Sequence, residues 1–385
     1  MSYQTIIILI IAILLFLYFT RVGSLIKKSL VFYLIIMFPY RKWHFPNWFS
    51  RPIIIEENKF ESYGRTIISD VYRPKNNKKY SGMIVFAPLA DEGRRNPLVV
   101  NFLKGLARLG YTVTAPFWPE RGFGNIYLTD IDDFATSLKW FKKYPYVLDE
   151  KIGVVAVSYG AGPALISIKK HNLEKDIKFV ALISGFIDLL ETIKTLITKK
   201  FEYKKIKGIL EPEPYAYDVM LKTAASWSSD NKDKIFFTDI SKNADGTNFL
   251  KRLLKISPDI SDDGNKIINW YQSSNDQEFT DRYSKLPDRV HKYFNDLSPS
   301  YKSNFPMIPT LILHSTKDHL IPYTESVKLY DLVKHKTQSV LVLISAFDHT
   351  MPVPANLKNI FIVYLPNLYR ITKFLFIMLS LEYKK

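Results

Sequence analysis

The stretch Gly153–Gly162 reads GVVAVSYGAG and decides the fold. An apolar run ends at Val157, Ser158 follows at once, and small residues continue into a segment with helical character. A sharp turn from a strand into a helix needs small side chains two positions before and two positions after its central residue, because both positions crowd the backbone. Ala156 and Gly160 meet that need. The pattern therefore predicts a serine raised above the edge of a sheet.

Apolar runs and helical periods alternate on both sides of this turn. Six runs are predicted to be strands: Gly82–Ala87, Tyr111–Pro116, Lys151–Val157, Phe179–Ser184, Pro309–His314 and Gln338–Ile344. Gly82–Ala87 and, after its first residue, Lys151–Val157 are continuously apolar, which is typical of strands that are buried on both faces of a sheet. Helical spacing follows several of these runs, at Asn96–Leu109, Thr129–Lys143, Ala161–Lys170 and Tyr323–Val333. This alternation predicts an α/β fold with a mostly parallel sheet and helices on both faces.

The alternation stops between residues 186 and 305, where helical segments and long polar loops replace it. A structureless loop of about 120 residues is implausible inside a compact domain, so this insertion is predicted to be a helical cap. We divide the chain into a transmembrane anchor with an interfacial collar (1–50), a first core part (51–185), the cap (186–305), and a second core part with a C-terminal helix (306–385).

Two further polar residues follow strands in the order that a serine nucleophile requires. A serine hydroxyl reacts only when a base removes its proton, and the base needs a partner that fixes its tautomer. Asp318 lies just after the strand Pro309–His314, and His349 lies just after the strand Gln338–Ile344. The carboxyl ends of parallel strands meet at one edge of a sheet, so Ser158, Asp318 and His349 are predicted to converge there.

The chain order Ser158, Asp318, His349, the Ala-Val-Ser-Tyr-Gly turn at 156–160 and the helical insertion before the Asp-bearing strand resemble the α/β-hydrolase superfamily. The resemblance covers residues 52–385. It implies the α/β-hydrolase fold and a serine hydrolase of the esterase or lipase type. In that family's scheme Ser158 is the nucleophile, His349 is the general base and acid, and Asp318 is the orienting carboxylate.

The resemblance also implies an oxyanion hole made by the backbone N–H groups of Leu89 and Tyr159. Members of the superfamily often carry His-Gly after the third strand, where this chain has Ala87-Pro88, and proline offers no N–H. Some members carry the acid at the position of Asp188. The Ala87-Pro88 departure leaves open a catalytically inactive hydrolase fold that serves as a binding or scaffold protein. An accessory protein of a transporter is a third alternative. A peptidase or a thioesterase of the same fold also stays open.

The 385 residues contain no cysteine, which excludes disulfides, thiolate catalysis and cysteine-ligated metal sites. Because the sequence also lacks a G-x-x-x-x-G-K-[ST] phosphate loop and an H-E-x-x-H zinc helix, we predict neither a cofactor nor a metal ion. The net charge is +16, from 53 basic and 37 acidic residues. Much of the basic excess lies at the two ends among apolar runs, which favours an anionic membrane surface over nucleic acid as a partner.

The N-terminus has the composition of a membrane anchor. Residues 5–20 (TIIILIIAILLFLYFT) carry no charge, and as a helix they would extend about 24 Å, close to the thickness of a bilayer's hydrocarbon core. The apolar run Leu30–Phe38 is too short to span and has basic and aromatic neighbours, so residues 24–50 are predicted to form an interfacial collar. The basic residues within 1–51 place the catalytic domain on the cytoplasmic side. Membrane lipids and a small, lipophilic ester are then the predicted partners.

Overall fold

The structure is a computed structural model that describes residues 3–37, 50–89, 93–118, 124–148, 151–242, 253, 259–301, 305–349, 351–354 and 356–381. Its strands are β1 (Ile53–Ser62), β2 (Arg65–Pro74), β3 (Gly82–Phe86), β4 (Thr112–Phe117), β5 (Ile152–Val157), β6 (Ile177–Ile183), β7 (Lys200–Tyr203), β8 (Ile206–Ile209), β9 (Thr310–Ser315), β10 (Ser339–Ile344), β11 (Phe347–Asp348) and β12 (Met351–Pro352). Its helices are α1 (Tyr3–Phe19), α2 (Arg21–Met37), α3 (Pro97–Arg108), α4 (Asp130–Lys142), α5 (Ala161–Lys170), α6 (Leu189–Thr198), α7 (Pro214–Trp227), α8 (Asn231–Lys242), α9 (Asp262–Tyr271), α10 (Asp276–Tyr283), α11 (Asp288–Leu297), α12 (Thr324–Val333) and α13 (Leu357–Leu381).

One sheet of the described residues contains eight strands, in the order β1-β2-β4-β3-β5-β6-β9-β10. Every neighbouring pair from β4 to β10 is parallel. The first strand, β1, is antiparallel to β2, and β2 is antiparallel to β4. The predicted α/β architecture with a mostly parallel sheet is therefore confirmed.

Helices cover both faces of this sheet. Successive side chains of a strand point to opposite faces, and the central strand β5 shows the result. Val155 packs into the apolar layer formed with α2, α3 and α13, whereas Val154 packs into the layer formed with α4, α5 and α12. Both valines are fully buried. This double burial explains why the central strands are continuously apolar in sequence rather than alternating.

The chain between β6 and β9 forms a further layer, made of helices α6 to α11 and the hairpin β7–β8. Its apolar core centres on Trp227, Trp270 and Phe294, whose rings contact one another. Tyr159, just beyond the carboxyl end of β5, belongs to the same core. The layer lies within residues 186–305, the predicted cap, and it covers the edge of the sheet at which β5 ends.

A sharp bend separates α1 from α2. The Thr20 hydroxyl donates to the Phe16 carbonyl oxygen at 2.7 Å and accepts from the Gly23 N–H at 2.9 Å. A Cβ at Gly23 would stand 2.0 Å from that same carbonyl oxygen, so only glycine permits the approach. The helix pair is bent by 93°. As a result α1 leaves the domain at nearly a right angle to α2.

Part of the predicted interfacial collar, residues 24–50, packs on the domain. Residues 24–37 form most of α2, one face of which is buried against α3 and α13. Phe32 has no exposed surface, and its ring centroid lies 5.1 Å from that of Phe102. A Cβ at Gly105 would lie 2.7 Å from the Phe32 ring, so α2 and α3 are closely packed. Residues 38–49 of the predicted collar lie outside the described residues.

The membrane prediction also changes in detail. In the described part of the chain, one helix is long and apolar enough to cross a membrane by itself, and it is α13 rather than the N-terminal segment. Of the most apolar stretch of α13, 33% is buried inside the protein. Helices α1 and α2 meet the same criterion only together, as the bent pair. Helix α1 nevertheless exposes apolar side chains along its length, for example Ile8 (67% exposed) and Phe19 (83% exposed).

We expect the replacement Phe32→Ala to destabilise the domain by about 3–5 kcal/mol, because it removes a fully buried ring and leaves a cavity between α2 and α3. The measurement is urea unfolding of the detergent-solubilised full chain. The control is Val22→Ala on the same helix, where the side chain is 50% exposed, and this change is expected to stay within about 0.5 kcal/mol. Equal, small effects of both replacements would contradict the packing of α2 on the core.

Candidate active site

The turn after β5 holds Ser158 in an unusual backbone conformation. Its φ is +53°, in the left-handed region that non-glycine residues rarely adopt. A short 3₁₀ turn, Ser158–Gly160, leads directly into α5. A Cβ at Gly160 would lie 2.8 Å from the Phe86 carbonyl oxygen of β3, and Ala156 is fully buried. Small residues at these two positions thus allow the strained turn that the sequence predicted.

The structure brings Ser158, His349 and Asp318 into one hydrogen-bonded chain. The distance from His349 Nε2 to Ser158 Oγ is 2.8 Å, and the distance from His349 Nδ1 to Asp318 Oδ2 is 2.7 Å. Because a carboxylate only accepts, Nδ1 carries the proton and Nε2 is left to accept from the serine hydroxyl. All three residues are at least nine-tenths buried. The arrangement has the geometry that activates a serine hydroxyl.

Asp318 is held as a carboxylate by donors from its own loop. Its Oδ1 accepts from the backbone N–H groups of Leu320 and Ile321, both at 2.8 Å. Burial raises the pKa of the Asp318 carboxyl, but the charge of His349 and the hydrogen bonds from His349 and His314 outweigh it. The pKa of Asp318 therefore lies well below its usual range, and the group stays ionised at neutral pH.

His349 occupies the turn between the short paired strands β11 and β12, with a φ of +51°. The Ser184 hydroxyl donates to the His349 carbonyl oxygen at 3.2 Å, and the Ser315 hydroxyl donates to the Phe347 carbonyl oxygen at 2.5 Å. These bonds tie the turn to the ends of β6 and β9. Burial lowers the pKa of His349, and the neighbouring Asp318 carboxylate more than reverses this, so that the pKa is raised above its usual value.

A second histidine, His314, contacts the same carboxylate, and sequence reasoning gave it no role. Its Nε2 lies 3.0 Å from the Ile321 carbonyl oxygen and 3.2 Å from Asp318 Oδ2. Its Nδ1 lies 2.7 Å from Ser326 Oγ. An N–H at Nε2 satisfies both oxygens, and Nδ1 then accepts from the serine hydroxyl. The only signal in the sequence was the placement of His314 at the end of β9, four residues before Asp318.

Asp188, the other position considered for the acid, has a different environment. Its side chain accepts from the Glu191 N–H at 3.0 Å and so caps the N-terminus of α6. Its own N–H and that of Ile187 donate to the buried Glu325 carboxylate, at 2.8 Å and 3.1 Å. These bonds fasten the start of the cap to α12. They are the contacts of a helix cap rather than of a partner for His349.

Leu89 and Tyr159 both line the cavity beside Ser158. The Leu89 carbonyl oxygen accepts from the Tyr215 hydroxyl of α7 at 2.8 Å. The Tyr159 hydroxyl donates to the buried Asp130 carboxylate at 2.8 Å, and the Trp118 indole N–H donates to the same carboxylate at 2.7 Å. Side chains from the cap and from α4 therefore fix the two segments that flank the serine. The Asp130 contact was not foreseen from the sequence.

The serine opens into a cavity of about 360 Å³ that is lined mainly by apolar side chains. This volume lies within the range of pockets that bind small molecules. Its walls come from the cap on one side and from α2, α3 and α13 on the other. Within the described ranges, no group of three or more histidine, aspartate or glutamate side chains is arranged to hold a metal ion.

No protein-family model matches the chain, and no curated protein matches it. Solved structures do match. The esterase Est22 is 12% identical, with a TM-score of 0.50 over 95% of this chain and 90% of its own. The Pyrobaculum calidifontis esterase is 14% identical, with a TM-score of 0.46 over 93% of this chain and 90% of its own. The Pyrococcus horikoshii acylaminoacyl peptidase is 13% identical, with a TM-score of 0.48 over 89% of this chain and 44% of its own. The chain has the α/β-hydrolase fold that its sequence predicted.

Proposed function

We propose that this protein is a serine hydrolase that cleaves a carboxylic ester through an acyl-enzyme formed on Ser158. The observation that carries the proposal is the buried chain of hydrogen bonds from Ser158 through His349 to Asp318, with distances of 2.8 and 2.7 Å. Ser158, at one end of this series of hydrogen bonds, lines a cavity that is large enough for a small molecule. A serine, a base and an ionised carboxylate in this order supply what acyl transfer requires.

The first half of the reaction forms the acyl-enzyme. Ser158 Oγ attacks the ester carbonyl carbon while its proton passes to His349 Nε2, and the carbonyl oxygen becomes an oxyanion. The imidazolium that forms is stabilised by the adjacent Asp318 carboxylate. Collapse of the tetrahedral intermediate breaks the bond to the leaving oxygen, which takes the proton from His349 and departs as the alcohol.

The second half releases the acid. A water molecule gives a proton to His349 Nε2 as its oxygen attacks the acyl carbon, and collapse of the second intermediate returns that proton to Ser158 Oγ. We assign the oxyanion hole to the backbone N–H groups of Tyr159 and Leu89. Tyr159 lies in the turn that leads into α5, where the helix dipole favours negative charge. Leu89 is the first residue after Pro88 that can donate, because proline has no N–H.

The lining of the cavity favours an ester with apolar substituents over a peptide. A peptide carries an N–H and a carbonyl at every residue, and each would need a partner once it leaves water. The cavity wall is predominantly apolar, so it offers few such partners. A panel of esters, thioesters and aminoacyl amides on the purified full chain separates the three hydrolase activities, and we expect the ester to be cleaved fastest.

We also propose that α1 anchors the protein in a membrane with the domain on the cytoplasmic side. The support is the exposure of apolar side chains along α1 and its departure from the domain at the 93° bend. Such a helix in water would expose a large apolar surface, whereas a bilayer would bury it. Arg21, Lys27 and Lys28 follow the helix at once, which fits the positive-inside rule.

A fluorophosphonate probe is expected to label the wild-type protein and the control Ser167→Ala, but not Ser158→Ala. Ser167 is a fully buried serine on α5 that does not line the cavity. The same replacement of Ser158 is expected to reduce kcat by about a millionfold, because the nucleophile is lost. Labelling of Ser158→Ala would place the nucleophile elsewhere. A folded wild-type protein that resists both the probe and the ester panel would favour the inactive binding or scaffold protein instead.

The pH profile tests the role of Asp318. His349 must be neutral to accept a proton, so kcat/KM is expected to fall as the pH drops through its raised pKa, above the ordinary value of 6.5. In Asp318→Asn, burial still lowers the pKa of His349 but the carboxylate no longer raises it. The acid limb should therefore move to lower pH, with kcat reduced by about 10⁴-fold. The matched control Asp188→Asn keeps a helix-capping side chain and should change neither quantity. If Asp188→Asn shifted the acid limb and lowered kcat while Asp318→Asn changed neither, the carboxylate that orients His349 would be Asp188 instead.

A further inference from the structure

The cavity at Ser158 extends away from the cap into the layer of helices on the first face of the sheet. We call this extension the helix arm, and its wall includes Ile36 of α2, Leu98 and Phe102 of α3, and Phe374, Leu375 and Met378 of α13. All six side chains are apolar. The helix arm therefore connects Ser158 with a layer formed by α2, α3 and α13.

The chemistry of the helix arm suits an alkyl chain. Asn96 also lines the cavity, but its side-chain oxygen already accepts from the backbone N–H of Leu98 at 3.0 Å, at the N-terminus of α3. Asn101 of α3 also lines the cavity, so two asparagines stand among predominantly apolar side chains. A polar substituent away from these two asparagines would lose its hydrogen bonds to water without replacement. A methylene chain would instead gain about 0.8 kcal/mol for each CH₂ removed from water, which equals a fourfold change in affinity.

The side chains that line the helix arm differ in exposure. Phe374 and Met378 in its depth are buried, whereas Ile36, Leu98 and Phe102 are partly exposed. The Tyr33 hydroxyl donates to the Tyr364 carbonyl oxygen at 3.1 Å, which holds the end of α2 against α13. The partly exposed residues thus form a mouth that lies next to the first turns of α13.

An apolar patch lies on those first turns. Phe361, Ile362 and Leu365 of α13 are 66%, 61% and 50% exposed, and we call them the α13 patch. The mouth, the α13 patch and α1 are carried by the helices α1, α2, α3 and α13, which form a connected group: α1 contacts α2, and α2 contacts both α3 and α13. Exposed apolar residues grouped in this way mark a surface that faces something other than water.

We infer that the substrate is a long-chain acyl ester taken from a lipid bilayer, with its acyl chain in the helix arm and its carbonyl carbon at Ser158. The α13 patch rests on the membrane beside the mouth, so the chain passes from lipid into the protein without crossing water. This inference rests on the proposed function, since it names the substrate class of the same site.

The first experiment narrows the mouth of the helix arm with Ile36→Trp and, separately, Leu98→Trp. The control is Leu30→Trp on α2, at a position that is 38% exposed and does not line the cavity. The readout is the ratio of kcat/KM for p-nitrophenyl dodecanoate to that for p-nitrophenyl acetate, measured on the full chain in detergent after titration of active sites with the fluorophosphonate. Both mouth variants should lower this ratio about fifteenfold, the effect of excluding roughly two methylenes, and the control should not change it.

An unchanged ratio in both mouth variants, with active sites still titrating, would overturn the helix arm as the acyl site and leave the proposed function intact. A wild-type protein that prefers the acetate would do the same. Absence of titratable serine in the wild-type protein would instead overturn the proposed function, and the inference with it. The two failures are therefore distinguishable.

The second experiment tests the bilayer as the source. The full chain is reconstituted in vesicles of phosphatidylcholine and phosphatidylglycerol, and its rate on a dodecanoyl ester dissolved in the vesicles is divided by its rate on water-soluble p-nitrophenyl acetate. The double replacement Phe361→Gln/Ile362→Gln should lower this quotient at least fivefold. The control Ile209→Gln, at a 73% exposed position on the β7–β8 hairpin, should leave it unchanged. Equal quotients for the two variants would mean that the ester arrives through water.

Discussion

The geometry around Ser158 depends on the buried charge of the Asp318 carboxylate. Its side chain has no exposed surface, and a charge in that position is tolerated only when donors replace the water it has lost. The donors come from three places: the loop that Asp318 itself begins, His349 after β10, and His314 at the end of β9. Satisfying this one group therefore fixes the positions of two strand ends and of the imidazole that faces Ser158.

Sequence reasoning located the strands and the three residues of the hydrogen-bonded chain for a simple reason. Parallel strands place the loops that follow them at one edge, so the order of strands in the chain was enough to bring Ser158, Asp318 and His349 together. Nothing equivalent marks His314. It lies within a strand, and whether its ring turns toward Asp318 depends on Ser326 of α12, which binds its other nitrogen. A contact made by packing two elements has no local signature.

In the N-terminal region, the sequence showed which residues avoid water but not what they pack against. Composition indicated that residues 24–37 avoid water, but it did not indicate what covers them. In the structure, Phe32 is buried against Phe102 of α3, and Gly105 provides the space for its ring. An apolar face at helical spacing suits either protein or lipid, so this choice rests on the complementary surface of a distant helix. The 93° bend at Thr20, which Gly23 permits, then separates α2, which packs on the domain, from α1, which departs from it.

Helix α13 contributes both to the exposed apolar surface of the protein and to the wall of the cavity. Its early turns expose Phe361 and Ile362, and its later turns send Phe374 and Met378 into the wall of the cavity. The cap helices contribute the opposite wall, which includes Trp227 from their own apolar core. Ser158, Asp318 and His349 are held by neither of these surfaces but by the strand ends between them. Under the proposed function, changes on α13 would therefore alter how an apolar substrate reaches Ser158 without altering how His349 accepts its proton.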